Sequence, residues 1–331
     1  MIKDPKLLIQ APPFLRQDLT TPQAMLDVIY ALIPIIIASI WFFGFSALLL
    51  LMASIAGAVL TEWLFSSSPK SLWDGSAVLT GLLLGLTLPP TLPLWMAFLG
   101  GIVAIGLGKM VWGGLGNNMF NPALLGRAFL LATFPAAMTT WTMESGVFNS
   151  NLAMPFMQSS VDAVTSATPL NLMQFQQETT NLWDLFIGTI PGSFGETSAL
   201  LIIIGGLYLV VRRSIDWRIP AAILGTVIIF SSVLFLADSV RFPNPLFAVF
   251  SGGLLLGVFF MATDPVSSPL TPKGIWIFGI GIGFLVVLIR NFGALPEGVM
   301  YAILLMNATV PLIDRYTQPI AFGRKSGGTV K

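Results

Sequence analysis

Apolar runs long enough to cross the roughly 30 Å hydrocarbon core of a bilayer recur along this sequence, and they constrain the fold to a set of membrane-spanning helices. Charge content agrees. Only 9% of the residues are charged, against about 25% in a soluble domain. Hydrophobic residues make up 55%, and mean hydropathy is +0.85. A soluble chain of 331 residues would need a charged surface that is absent here. The expected fold class is an all-α integral membrane protein of about ten transmembrane helices.

The sequence contains neither Cys nor His. That excludes thiolate iron–sulfur ligation, His- or Cys-ligated haem and the usual zinc sites, and it removes the commonest general base. A redox role must therefore use an organic cofactor. The lack of Cys carries no information about redox compartment. A net charge of +1, with basic residues lying between apolar segments, gives no reason to expect a nucleic-acid partner. Residues 1–24 are polar and Pro-bearing, without the apolar stretch of a signal peptide, so the first apolar helix is expected to direct insertion.

Hydropathy divides the chain into an N-terminal segment (1–24), a five-helix region (25–138), a polar loop (139–196), a second five-helix region (197–316) and a tail (317–331). The expected helices run from about Met25 to Phe43, Ser46 to Leu64, Gly75 to Leu88, Leu92 to Val111 and Asn121 to Met138. The second five run from about Ser198 to Val211, Ile219 to Ala237, Pro245 to Ala262, Ile275 to Ile289 and Glu297 to Ile313. The third is too short to cross unaided: its 14 residues reach only about 21 Å before Pro89-Pro90 breaks it. Asn121-Pro122 reads as a cap followed by proline at the first helical position.

Charge orients these segments. The 58 residues from Thr139 to Glu196 hold five acidic residues and no Lys or Arg. With ten crossings, the basic positions Lys3, Lys6, Arg16, Lys70, Lys109, Arg212, Arg213, Arg218, Lys273, Arg315, Arg324, Lys325 and Lys331 all fall on one side, and only Arg241 and Arg290 fall opposite. The positive-inside rule then places both termini in the cytoplasm and the long loop outside the inner membrane. The chain also repeats itself. Gly81-Leu-Leu-Leu-Gly85 returns as Gly253-Leu-Leu-Leu-Gly257, an offset of 172, and the Asn117-to-Pro122 approach to the fifth helix returns as Asn291-to-Pro296, an offset of 174. Two halves of five crossings, an odd number, must lie inverted in the membrane. Such repeats set broken helices face to face, where their termini bind polar groups. Close helix packing explains a Gly-xxx-Gly pattern equally well.

The loop carries Asp162-Ala-Val-Thr165-Ser166-Ala167-Thr168-Pro169-Leu170. This stretch resembles the flavin-attachment motif, Asp-x-x-[Thr/Ser]-[Gly/Ser]-Ala-Thr-x-Leu, of the D subunit of Rnf-type ferredoxin–NAD oxidoreductases and the B subunit of sodium-pumping NADH–quinone oxidoreductases. Two further stretches are similar to the same families: Gly113 to Phe129 and Met261 to Gly274. The short N-terminal region suits the Rnf subunit better. The resemblance implies FMN joined through a phosphoester to Thr168, with Asp162, Thr165, Ser166 and Ala167 as the surrounding motif. It also implies the other membrane and peripheral subunits of an Rnf complex as partners, a flavin transferase for maturation, and membrane lipid. A residue before proline is pushed to extended backbone, so Thr168 is expected to project from an open strand that a modifying enzyme can thread. Small neighbours, Ser166 and Ala167, leave the approach clear. A loop without Lys or Arg has few cations to hold a phosphate noncovalently, which fits a covalent tether.

Other positions carry two readings each. Asn121 suits a helix cap, while Asn117, Asn118 and Asn121 together, in a Gly-rich loop, suit hydrogen bonding to an isoalloxazine or another polar ring. Resemblance to the quinone-reductase subunit implies a second, noncovalent flavin (riboflavin or FMN) in the membrane part. Arg127, one to two turns into the fifth helix, is either paired and functional or snorkels to the cytoplasmic face. Asp264, in Thr-Asp-Pro, either starts a turn or offers hard oxygen to a coupling cation. The expectation is an electron-transfer subunit of an ion-translocating oxidoreductase complex, one link of a relay; no nicotinamide fingerprint is present. The competing expectation is a channel or transporter for a small polar solute with a urea-channel-like inverted repeat.

Overall fold

The computed structural model describes residues 20–66, 69–141, 167–188, 190–196, 198–239, 241–293 and 297–319, and among them all regular structure is helical. Helix α1 (Thr21–Phe43) opens with a capping box, in which the Thr20 N–H donates to Gln23 Oε1 at 3.0 Å. It ends at Gly44, whose φ of 73° lets α2 (Phe45–Phe65) start one residue later. Helix α3 (Ser76–Leu86) is 11 residues long, about 17 Å. The Pro-rich stretch 87–93 interrupts it, and α4 (Leu94–Ile105) follows, its last turn widening into a π-turn over Gly106–Met110. Helix α5 (Pro122–Thr133) stops ahead of Pro135, which begins the short α6 (Pro135–Met138), so the expected single fifth helix is two pieces.

The second part begins with helical turns that hydropathy does not reveal, α7 (Pro169–Asn171), continued by a π-turn, and α8 (Leu182–Ile187). Helices α9 (Ala199–Val211) and α10 (Arg218–Ala237) match expectation within a residue. The expected eighth helix is broken: α11 (Pro245–Phe250) and α12 (Leu254–Leu256, extended by a π-turn to Met261) flank Gly252, which takes φ 62°. Helices α13 (Pro272–Phe292) and α14 (Val299–Thr317) close the fold.

Helices α1, α2, α10 and α13 are each long and apolar enough to cross a membrane. Their outward faces expose Ile37, Trp41, Leu64, Ile229 and Leu236, a surface suited to lipid and costly in water. This is a multi-pass membrane protein. Glycines let its helices approach closely, as bilayer packing requires. A Cβ on Gly57 would lie 2.1 Å from Phe98 O, and one on Gly101 2.3 Å from Ser54 O, which fastens α2 to α4. In the second half a Cβ on Gly279 would lie 2.5 Å from Ala222 Cβ, fastening α10 to α13.

The halves share one pairing scheme. Helix α2 packs on α4 and α4 on α5, just as α10 packs on α13 and α13 on α14; α1 with α9, and α5 with α14, join the halves. The sequence markers of the repeat fare differently. Gly81 faces Ile55 of α2, whereas Gly253 faces Glu196 and Gly257 faces Val299. Asn291 lies in the last turn of α13 and donates to Val287 O at 2.8 Å, and Pro296 lies outside the described residues. The matched helix pairs and the two broken helices are what the two halves share in structure.

Candidate functional site

Thr168 precedes Pro169 and has φ −66° and ψ 155°, the extended backbone expected before proline. Its side chain is placed differently. Pro169 sets the first helical position of α7, so Thr168 becomes the N-cap, with Oγ1 accepting from the Asn171 N–H at 3.3 Å. The residue is 7% exposed. The expected open strand is therefore a capped, buried turn. Ala167 is exposed, and Asp162, Thr165 and Ser166 lie outside the described residues. The cap bond uses the oxygen as an acceptor, a capacity that a phosphoester oxygen retains.

Close to α7 sits a buried charge network that the sequence does not announce. Arg127, 6% exposed, donates from Nη1 to Thr87 O at 2.5 Å. Its Nη2 binds the Glu297 carboxylate, and Glu196 Oε1 lies 3.8 Å from Nη1. Arg127 is thus paired and does not snorkel. Glu196 arrives on residues 190–196, expected to be external loop, which fold back into the core. Phe194 is fully buried edge-on to Phe43 at 5.2 Å, and its carbonyl accepts from Ser39 Oγ at 2.8 Å.

The same segment closes the first helix break. Gly195 N donates to Leu86 O at 2.7 Å, so Gly195 and Arg127 together satisfy carbonyls that α3 leaves open, as a water-free setting demands. The break at Gly252 is closed by Arg290, which donates to Ala248 O at 2.7 Å and Ser251 O at 3.0 Å, and the far end of α12 is held from α5, where Asn121 Nδ2 donates to Met261 O at 3.0 Å. Asn307 of α14, with its amide oriented to suit its neighbours, accepts from Asn121 N at 3.1 Å and donates to Ser267 O at 3.2 Å. Sequence reasoning missed Glu196, Glu297, Arg290 and Asn307. The usable signal was Arg127 itself, since a guanidinium inside a span requires a carboxylate partner.

Three of the residues singled out by sequence meet at one cleft of about 760 Å³ between the halves: Asn118, Asn121 and Asp264, with Lys109, Phe259 and Phe260 among the other walls. Asn117 is exposed and stands outside it. Asn121 is a cap, its Oδ1 accepting from Ala123 N at 3.0 Å and Leu124 N at 3.3 Å. Asn118 Nδ2 donates to Phe120 O at 3.3 Å, but its buried Oδ1 has no partner. Asp264, half-buried in the turn beyond α12, spends both oxygens locally, on Val266 N at 3.2 Å and Ser267 Oγ at 3.0 Å. Burial pushes its carboxyl above the ordinary range, against the pull of those two hydrogen bonds. Among the described residues no cluster of three or more potential metal-binding side chains forms. Lys109, on the π-turn after α4, bonds Glu62 Oε1 and Ser76 Oγ, each at 2.6 Å. An apolar cleft with a few fixed polar groups is the usual form of a small-molecule site. The orphaned Asn118 oxygen fits the ring N–H of a flavin.

Back-to-back broken helices with charges and amides buried between them define a multi-pass membrane protein organised around polar chemistry inside its span. The chain belongs to the NQR2, RnfD, RnfE family, whose model matches residues 8–323. It is 42% identical over 337 residues to the D subunit of the proton-translocating ferredoxin:NAD(+) oxidoreductase complex of Clostridium ljungdahlii, with 98% of each chain covered. It is 42% identical over 327 residues to the D subunit of the ion-translocating oxidoreductase complex of Stutzerimonas stutzeri, with 92% of each covered. The corresponding protein of Yersinia pseudotuberculosis is 39% identical over 347 residues, covering 96% of this chain and 99% of the relative.

Proposed function

We propose that this chain is an electron-transfer subunit of an ion-translocating ferredoxin–NAD oxidoreductase, with FMN held as a phosphoester on Thr168 at the external face of the bacterial inner membrane. One observation carries this reading: in a chain that matches such subunits over 98% of its residues, Thr168 has an oxygen that already sits in an N-cap. When attached, FMN supplies the one- and two-electron chemistry. The chain supplies placement. Thr168 oxygen holds the phosphate, and the Asn171 N–H holds that oxygen in turn. Because the hydroxyl is buried in the closed turn, the transferase acts on an opened 167–171 segment, and the turn then closes over the ester.

The cleft at Asn118 takes the second, noncovalent flavin, with Asn118 Oδ1 accepting a ring N–H and Phe259 and Phe260 walling the apolar part. On the positive-inside reading this cleft faces the cytoplasm and Thr168 the outside, which puts the two flavins on opposite sides of the broken helices. The other members of the complex, whose redox centres exchange electrons with these flavins, and the surrounding lipid are the partners. A passive pore is the poorer reading, because the line between the halves is filled by Leu86, Phe194 and Leu256, all fully buried or nearly so.

Denaturing gels test the assignment. Protein made together with a flavin transferase is expected to fluoresce as flavin, and Thr168→Ala to be inserted in the membrane but dark. A fluorescent Thr168→Ala protein contradicts it.

A further inference from the structure

Neighbours of Thr168 line two clefts, Asn171 one and Leu170 the other, and the electrostatics of the two differ. One, about 550 Å³, is lined by Arg127, Trp141, Asn171 and Glu297 among others. Its cation is already committed to Thr87 O and Glu297, and the carboxylate repels an anion. The other, about 950 Å³, is lined by Leu170, Phe175, Arg241, Phe242, Phe247 and Arg290 among others. It holds the only two basic residues that the crossing pattern assigns to the external side.

Neither arginine forms a salt bridge among the described residues; Arg290 does feel the charge of Glu196 and Glu297 from its inner side, which leaves Arg241 as the cation turned to solvent. Arg241 is exposed, with its guanidinium carbon 5.4 Å from the centre of the Phe242 ring. Arg290 is 8% exposed and donates to Ala248 O at 2.7 Å and Ser251 O at 3.0 Å, while its buried Nε has no partner. Leu170, two residues past Thr168, forms part of the wall and packs against Gly252, where an added Cβ would come within 2.6 Å of Leu170 Cδ1.

We propose that the flavin carried by Thr168 docks in this second cleft, its ring against the phenylalanines and its negative charge facing Arg241 and Arg290. The proposal rests on the attachment reading above. A phosphodiester is anionic, and a flavin that has taken up two electrons and one proton carries a further negative charge on its ring. A cleft with aromatic walls and guanidinium groups outside any salt bridge suits both. It favours the reduced state and raises the flavin's potential. In the test below the electrons come from an electrode through mediators.

The full-length chain, made with a flavin transferase and purified in detergent, is to be measured by intact mass and by spectroelectrochemistry, taking the redox wave that Thr168→Ala removes. Arg241 is exposed, so Arg241→Gln leaves the fold intact. We expect Arg241→Gln to keep the added FMN mass and to weaken the preference for the reduced flavin about tenfold, about 30 mV for a two-electron couple. Arg241→Lys is expected to recover most of that shift. An unchanged potential with FMN retained overturns the docking site, as does a shift seen in Trp141→Phe in place of Arg241→Gln. Wild-type protein without FMN mass overturns the attachment reading instead, and the docking site with it.

Discussion

Arg127 shows how far a single residue can be read from sequence. Its place inside an apolar helix made it a charge in need of a partner, but Glu196 and Glu297 looked like ordinary acids at the ends of polar stretches. Only folding brings residues 69 and 170 positions away in the chain to one guanidinium. Asn118 and Asp264 were legible as polar residues in glycine- and proline-rich turns; that they face one cleft was not, because the cleft forms between halves distant in sequence. Thr168 was legible as a motif and as extended backbone, but its burial was not, since a capped turn of three residues leaves no hydropathy signal. Removing Arg127 strands the buried Glu196 carboxylate, the half-buried Glu297 carboxylate and one carbonyl. Arg127→Met should cost about 3–5 kcal/mol, read as a fall in unfolding temperature in detergent. Glu297→Gln alone should cost less, because it leaves Glu196 near the arginine. At Asp264 the sign of the pH dependence is set by burial. A carboxyl raised in the folded state contributes stability that is present below its unfolded value and lost as pH rises through its folded value. Thermal stability should therefore fall across the interval just above the ordinary carboxylate range, and Asp264→Asn should flatten that slope.

Among whole elements, the long spans were legible because hydropathy integrates over many residues; α10 was expected from Ile219 to Ala237 and lies at Arg218–Ala237. The break after α3 was legible too, in Pro89-Pro90. Its counterpart at Gly252 was not, since a glycine inside an apolar run reads equally as close packing. Gly195 makes the clearest element-scale prediction. It is pinched between the two broken helices, where an added Cβ would stand 2.9 Å from Leu256 Cδ2 and 3.0 Å from Leu86 Cβ. Gly195→Ala must push them apart, costing about 1–3 kcal/mol and weakening the Gly195–Leu86 bond that closes the first break. Gly101→Val drives into Ser54 O on α2 and should separate α2 from α4 more severely, seen as loss of folded protein on size-exclusion chromatography. Substitution at Gly225, where an added Cβ meets nothing, is the control and should be tolerated.

The molecule as a whole is two similarly paired halves joined along α1 with α9 and α5 with α14; the Asn118 cleft lies on that seam, whereas the docking cleft is lined from the second half and the turn after Thr168. Filling the inner cleft should separate them: Asn118→Leu is expected to halve the flavin extracted per chain by removing the noncovalent flavin, with the covalent one retained on gels. Equal loss of both would mean the cleft is not a separate site. The most direct measurement is intact mass and peptide mapping of the chain purified from the organism that makes it. One added FMN is expected, located on the peptide containing Thr168 and absent from Thr168→Ala. An unmodified Thr168 peptide, or FMN mapped to another residue, would contradict it.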